Sequence, residues 1–305
     1  MRIVFFGTPA PAVPALTAFL ASPDVEVAAV VTNPDRPAGR GHKLTPSPVK
    51  VAALEAGLDV WQPTKPREIL DDLLAVRADA CAVVAYGALL PVDVLEAGGA
   101  GFVNLHFSLL PAWRGAAPVA HSLLHGDTET GVTCFVLEAG MDTGPVLLAE
   151  RTPIGEQETA GELTARLAEI GAPLLVAAVL GLVDGSITPA PQDHDRATYA
   201  PKISPDHARL DWDADAAVVA NAVRAFNPVP GAHTSFGGER LKVHRAVPVE
   251  GGSGEPGLVL EADGTPVVAC GRGALRLDEV QPAGKPRMSG AAFANGYRPV
   301  GRRLG

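Results

Sequence analysis

The strongest constraint on this chain is the rhythm of its first two-thirds, where short apolar runs alternate with segments long enough to be helices. Arg2–Gly7 is a continuous apolar run closed by Gly7-Thr8-Pro9, and Glu26–Thr32, Asp79–Ala85 and Gly101–His106 repeat the pattern. Between the first two, Val13, Leu16 and Leu20 are spaced as on a helix face. Uninterrupted runs suit strands buried on both faces, and the segments between them suit crossover helices. The fold class that follows is α/β, with a mostly parallel sheet. Thr133–Glu138 and Val146–Thr152 add two strands around a turn. Thr159–Val183 reads as a long helix carrying Leu163, Leu167, Ile170, Leu174, Ala178 and Leu182 along one side.

From Asp184 to about Asp215 the texture changes, with Pro189, Pro191, Pro201 and Pro205 among polar residues, as in a linker. A helix over Ala214–Phe226 follows. After it come five short runs punctuated by glycine: Ala232–Phe236, Leu241–Val247, Gly257–Glu261, Pro266–Cys270 and Ala274–Val280. Five short strands in so few residues suit a small barrel of the oligonucleotide-binding (OB) type. The expected division is therefore a first domain at 1–188, a linker at 189–205 and a second domain at 206–305. A length of 305 residues accommodates two cores, and 47% hydrophobic against 19% charged residues excludes a mainly disordered chain.

The net charge of −9 argues against a generally nucleic-acid-binding surface, but it is unevenly spread. Residues 1–215 carry 14 Lys+Arg against 27 Asp+Glu, whereas residues 216–305 carry 11 against 7. An anionic partner is therefore to be sought at the C-terminal part and at local basic loops. No apolar run approaches the length of a membrane span, and the N-terminal run is too short for a signal peptide. Cys81, Cys134 and Cys270 lie far apart, so neither a disulfide framework nor a zinc knuckle is expected. These features suit a soluble, cytoplasmic protein.

Asn104-Leu105-His106-Phe107-Ser108-Leu109-Leu110-Pro111 carries the most chemistry. On a strand Asn104 and His106 share a face, at the C-terminal end where α/β sheets bind ligands. An amide donor beside an imidazole suits acyl transfer, although the pair also fits an ordinary strand end. Asp142, between two predicted strands, is a turn residue by composition; brought near His106 it would raise the imidazole pKa and orient the ring. Gly7-Thr8-Pro9 lacks the spacing of a dinucleotide-binding turn. Pro34–Lys43 is a basic, Gly/Pro-rich loop that suits phosphate contact or plain solvation. His121 and His125, four apart on a predicted helix, have no third clustered ligand, so a metal is not expected.

Taken in order, these segments resemble the methionyl-tRNA formyltransferases from end to end. The matching pieces are Gly7-Thr8-Pro9, the Asn33–Lys43 loop, Val84-Ala85-Tyr86-Gly87 with Leu90-Pro91, and Asn104–Pro111 running into Trp113-Arg114-Gly115-Ala116-Ala117-Pro118. Further on are Met141-Asp142-Thr143-Gly144, Ala197–Ile203 and Arg224-Ala225-Phe226-Asn227-Pro228. Two positions depart from the pattern: Pro11 stands where an aromatic residue is usual, and Val229 replaces the usual tryptophan of the Asn-Pro-x-Pro-Gly-Ala segment.

The resemblance implies a Rossmann-like formyltransferase fold followed by the OB-type barrel. It implies that formyl passes from 10-formyltetrahydrofolate to the α-amino group of initiator methionyl-tRNA, with no metal. Asn104, His106 and Asp142 would then be catalytic, with His106 sharing the oxyanion-binding task in its protonated form. Tyr86, Gly87, Leu90, Ser108, Leu109, Leu110 and Pro111 would line the folate pocket. Arg36, Arg40, Lys43 and Lys202 would meet the tRNA, and the protein would act as a monomer away from membranes. Rival readings are a formyltransferase acting on another amine (a nucleotide or nucleotide sugar), a formate-releasing hydrolase and a non-catalytic RNA-binding relative. The 100 or so residues beyond the first domain, with their positive balance, weigh against a transferase acting on glycinamide ribonucleotide, a class that ordinarily stops near the end of that domain.

Overall fold

In the computed structural model, which describes residues 1–38, 43–261 and 264–305, the apolar runs become a ladder of strands. These are β1 (Arg2–Gly7), β2 (Glu26–Val31), β3 (Arg36–Ala38), β4 (Lys43–Thr45), β5 (Val60–Trp61), β6 (Ala80–Val84), β7 (Phe102–His106), β8 (Glu129–Val136) and β9 (Val146–Pro153). Seven of them form one sheet in the order β5-β2-β1-β6-β7-β8-β9. β5, β2, β1, β6 and β7 pair in parallel, and β8 runs antiparallel to β7, so the sheet is mixed but mostly parallel. β3 and β4 form a separate antiparallel hairpin within what composition presents as a loop.

Helices α1 (Val13–Ala21), α2 (Pro48–Glu55), α3 (Leu70–Val76) and α4 (Val92–Glu96) alternate with these strands; the short α5 (Pro118–Leu124) and the long α6 (Ala160–Asp184) follow. Both faces of β1 are packed. Phe5 meets Phe19 of α1 edge-on at 6.2 Å, and Phe6, on the opposite face, meets Phe102 at 5.2 Å and Tyr86 at 5.4 Å. Side chains at Ile3, Val4, Phe5 and Phe6 are completely buried, which explains why the run has no polar alternation.

The expectation that no segment is long and apolar enough to cross a membrane does not hold for α6. Among the described residues this helix of 25 residues passes on length and composition, with a mean hydropathy of 1.9 in its most apolar window. Its buried stripe of Leu163, Leu167, Ala168, Ala172, Leu175, Ala178 and Val179 makes it a core helix. Gly171 lets it lie close to β7: a Cβ there would come within 2.6 Å of Leu105, on the strand face opposite Asn104 and His106.

The chain forms two compact units that are interleaved in sequence. One comprises Met1–Gly115, Thr130–Thr152 and Thr164–Tyr199, and the other Ala116–Glu129, Pro153–Leu163 and Ala200–Gly305. The segment expected as a linker is held by the first unit over much of its length. Ala190 pairs with Val146, and the Trp113 N–H donates to Thr198 Oγ1 and the Arg114 N–H to the Thr198 carbonyl, each at 2.8 Å. Proline-rich composition here reflects extended backbone pairing with loops, not a free tether.

The second unit contains α7 (Ala216–Ala225), β10 (His233–Phe236), β11 (Glu239–Val249), β12 (Val259–Glu261), β13 (Val267–Ala269), β14 (Ala274–Pro282), β15 (Met288–Ser289) and α8 (Gly290–Tyr297). The sheet order is β10-β11-β14-β13-β12, with β15 beside β14 and every pairing antiparallel. Leu304 pairs with Phe236 at the end of β10 and Arg303 with Leu258 beside β12, so the last residues touch both outer strands. Trp212, Val219, Val223 and Phe226 pack with Leu241, Val243, Leu275, Leu277 and Phe293 in a single core.

Candidate active site

His106 ends β7, and Asn104 precedes it by two residues on the same face, at the edge where β1, β2 and β6 also end. Asn104 is half-buried, and among the described residues nothing accepts from its side-chain amide, which leaves two N–H donors for a ligand. His106 is 5% exposed, with its ring edge-on to Phe135. Its Nε2–H donates to the Trp113 carbonyl at 2.9 Å, because a carbonyl can only accept. In the neutral ring this fixes Nδ1 as the atom with the lone pair.

Asp142 Oδ2 stands 3.7 Å from His106 Nδ1, too far for a direct hydrogen bond, and accepts the Gly115 N–H at 2.8 Å. Burial pushes the His106 imidazole below its ordinary value of 6.5; the Asp142 charge and the Trp113 carbonyl pull the other way without prevailing. His106 is therefore neutral near pH 7. That direction disfavours the expected sharing of oxyanion binding as a cation, desolvation outweighing the neighbouring carboxylate.

Among the described residues five non-glycine residues adopt a positive φ. Arg77 and Arg298 cap the C-terminal ends of α3 and α8. The other three, Ala85 (φ 47°), Trp113 (φ 62°) and Asp142 (φ 51°), all flank the site loops. A left-handed backbone without glycine costs energy and persists only where surroundings over-determine it. At Asp142 the holder is Gln192, in the expected linker: its Nε2 donates to the carbonyls of Asp142 at 2.8 Å and Gly144 at 2.7 Å. Its Oε1 accepts from Arg114 Nε at 3.1 Å and Nη2 at 2.6 Å. No periodicity or motif picks out Gln192, which sits between prolines and charges.

The expected folate residues divide by depth. Ser108 is completely buried, its hydroxyl donating to the Ala112 carbonyl at 2.6 Å and its carbonyl accepting from Thr133 Oγ1 at 2.7 Å. The Thr133 hydroxyl oxygen also takes the Leu110 N–H, so Thr133, missed in the sequence, shapes the Ser108–Pro111 loop. Leu109, Leu110 and Pro111 are partly exposed. Tyr86 and Leu90, expected to line the pocket, instead place their side chains in the core with Phe6 and Val94. An aromatic ring in an apolar run is as readily core as ligand contact, and Phe6 and Phe102 claim this one. Tyr86 offers its carbonyl, which accepts from Asn33 Nδ2 at 2.6 Å and Thr8 Oγ1 at 3.1 Å. Gly87 turns the chain at φ 83°, and the following loop presents Leu89 to solvent at 84% exposure.

Among the expected tRNA contacts, Arg36 and Lys202 are exposed, Lys43 pairs its backbone with Ala38 in the β3–β4 hairpin, and Arg40 lies outside the described residues. The root of that hairpin is anchored by Lys50, whose Nζ donates to Asp35 at 2.8 Å and to Gln62 at 2.6 Å. The Lys50 bond, with a second from Gln62 Nε2 to Asp35 Oδ1 at 2.8 Å, holds the Asp35 carboxyl below its usual range. His121 and His125 join no group of three or more metal-ligating side chains among the described residues. Cys81, Cys134 and Cys270 are buried free thiols, each pushed up by burial, Cys270 to about 11.

Similarity to known proteins covers the whole chain. The family model described as formyl transferase matches residues 1–179, and that of the formyl transferase C-terminal domain matches residues 202–298. A methionyl-tRNA formyltransferase of Streptomyces griseus is 49% identical, covering 98% of this chain and 97% of the relative. One from Methylococcus capsulatus is 47% identical with 100% of both chains covered. In three dimensions the chain resembles a methionyl-tRNA formyltransferase from Clostridium thermocellum, with a TM-score of 0.59 at 17% identity over 83% of this chain and 95% of that one. It also resembles an N-formyltransferase from Helicobacter canadensis in complex with folinic acid and dTDP-3-aminofucose. There the TM-score is 0.69 at 19% identity, over 92% of this chain and 99% of that one.

Proposed function

The chain belongs to the methionyl-tRNA formyltransferases, and from that membership we propose that Asn104, His106 and Asp142 carry out formyl transfer from 10-formyltetrahydrofolate to initiator methionyl-tRNA. The enzyme formylates the methionyl group of the tRNA, supplying N-formylmethionyl-tRNA for the start of translation. The observation carrying the assignment of roles is the convergence of an uncommitted amide, a neutral imidazole of fixed tautomer and a carboxylate at the ligand-binding edge of the sheet.

The neutral α-amine attacks the formyl carbon; the new N–C bond forms as the carbonyl electrons move onto oxygen. The Asn104 amide donates to that oxyanion. The proton leaving the attacking nitrogen passes to His106 Nδ1, since Nε2 is engaged by Trp113. Asp142 stabilises the imidazolium, which returns the proton to N10 of the folate as the C–N10 bond breaks. Leu89, Leu110 and Pro111 supply an apolar surface for the folate rings, and the backbone of Tyr86, Gly87 and Ser108–Pro111 supplies polar groups.

Arg36, Arg40, Lys43 and Lys202 meet tRNA phosphates, and the second unit is an OB-type barrel that grips the RNA backbone. Its all-antiparallel order, the pairing of Arg303 and Leu304 with both outer strands, and the positive balance of residues 216–305 support this reading. A direct assay tests it: incubate the protein with methionyl-tRNA and 10-formyltetrahydrofolate, hydrolyse the ester and quantify N-formylmethionine. Formate release without formylmethionine, or tRNA binding without turnover, would overturn the assignment.

A further inference from the structure

We propose that Gln192 is a positioning residue for this reaction, its two amide ends serving separate tasks. The nitrogen end holds the Asp142 turn against His106, and the oxygen end satisfies the buried Arg114 guanidinium. This rests on the roles proposed above for Asp142 and His106.

Gln192 is 7% exposed and Arg114 2%. Gln192 uses its full hydrogen-bonding capacity, with two Arg114 donors on Oε1 and two carbonyls, of Asp142 and Gly144, on Nε2. The orientation of the amide is therefore determined, since reversing it would set Arg114 against an NH2 group and oxygen against two carbonyls. Arg114 has further support only from His194 Nδ1, at 3.0 Å, among its side-chain partners in the described residues. On the other side, Asp142 at φ 51° is gripped twice, by Gln192 through its carbonyl and by the Gly115 N–H through its carboxylate. Arg114 and Gly115 adjoin Trp113, whose carbonyl sets the His106 tautomer. One glutamine side chain thus ties together the loops that present Trp113 and Asp142 to opposite nitrogens of one imidazole. A displacement of about 1 Å at such a site costs on the order of 100-fold in rate.

The two ends can be separated. In Gln192→Glu one oxygen still accepts from Arg114, while the other replaces the donor and is set against the Asp142 and Gly144 carbonyls. In Gln192→Ala both ends are lost. If Gln192 positions Asp142, both variants lose about 10- to 100-fold in kcat while KM for folate and for tRNA stays within about twofold. Both variants melt earlier than the unmodified protein, Gln192→Ala because Arg114 is left buried without its partner and Gln192→Glu because a buried oxygen faces two carbonyls.

A second readout needs no substrate. With the Asp142 carboxylate released, His106 loses its attractive neighbour, so its imidazole titrates at lower pH by NMR in Gln192→Ala than in the unmodified protein. An unfolded fraction lowers activity but does not move this titration. Unmodified kcat in Gln192→Glu together with an unmoved His106 titration in Gln192→Ala would reduce Gln192 to a structural partner of Arg114. Absence of formylmethionine from the unmodified protein would instead overturn the proposed function, leaving the titration to decide the positioning.

Discussion

At the scale of single residues, the site depends on groups whose protonation and direction are fixed by neighbours. Asn104→Ala removes the proposed oxyanion donor and His106→Ala the proposed proton carrier; each is expected to lower kcat by roughly 100-fold or more with folate binding retained, as single-turnover assays would report. Protonated His106 cannot accept the amine proton, so activity falls on the acid side, at a pH below the ordinary imidazole value of 6.5. Stability follows the same sign. Between its lowered folded value and 6.5, His106 binds more protons unfolded than folded, so stability declines as pH falls through that window. His106→Asn should flatten that decline in chemical-denaturation curves taken across the window. Asn104 and His106 were legible in the sequence because a strand places alternate residues on one face. Asp142 was legible only as a turn residue. Trp113, Thr133 and Gln192 were not, since a carbonyl or a hydrogen bond spanning 50 residues, as from Gln192 to Asp142, leaves no local pattern.

At the scale of elements, glycines set how closely the site's supports approach. A Cβ at Gly144 would come within 1.8 Å of the Val136 carbonyl, a backbone atom that cannot swing aside. Gly144→Ala should therefore push the Asp142 turn away from β8, costing about 2 kcal/mol in urea unfolding and reducing kcat as well. Gly296, within α8, has nothing within 4 Å of its would-be Cβ. Gly296→Ala should raise stability by up to about 1 kcal/mol without touching kcat. The strands of the main sheet were readable because they are apolar throughout. The β3–β4 hairpin was not, as Arg36-Pro37-Ala38 and Lys43-Leu44-Thr45 show neither alternation nor a buried run. Helix α8 was also hidden, because Gly290 and Gly296 mask its period, and the Ser289 cap that accepts the Ala292 N–H defines its start.

At the scale of the whole molecule, charge and interleaving govern behaviour. The positive balance beyond residue 215 means that tRNA affinity should fall as salt rises; Lys202→Ala should reduce the log–log slope by roughly one phosphate contact, measured by filter binding. Cutting the chain at residue 206 does not separate the two units, because Ala116–Glu129 and Pro153–Leu163 belong with the second. The fragment 1–205 should bind a hydrophobic dye and melt early, as α5, whose Leu124 packs against the second unit's core, loses its partner α7. The same interleaving has a meaning in time. Helix α5 leaves the ribosome roughly 90 residues before α7, the helix it packs against, and at about 5–20 residues per second that is an interval of about 5–20 s. Through that interval the nascent chain carries an unpaired apolar helix, so the speed of translation across the proline-rich stretch from Pro189 to Pro205 sets how long chaperones must shield it.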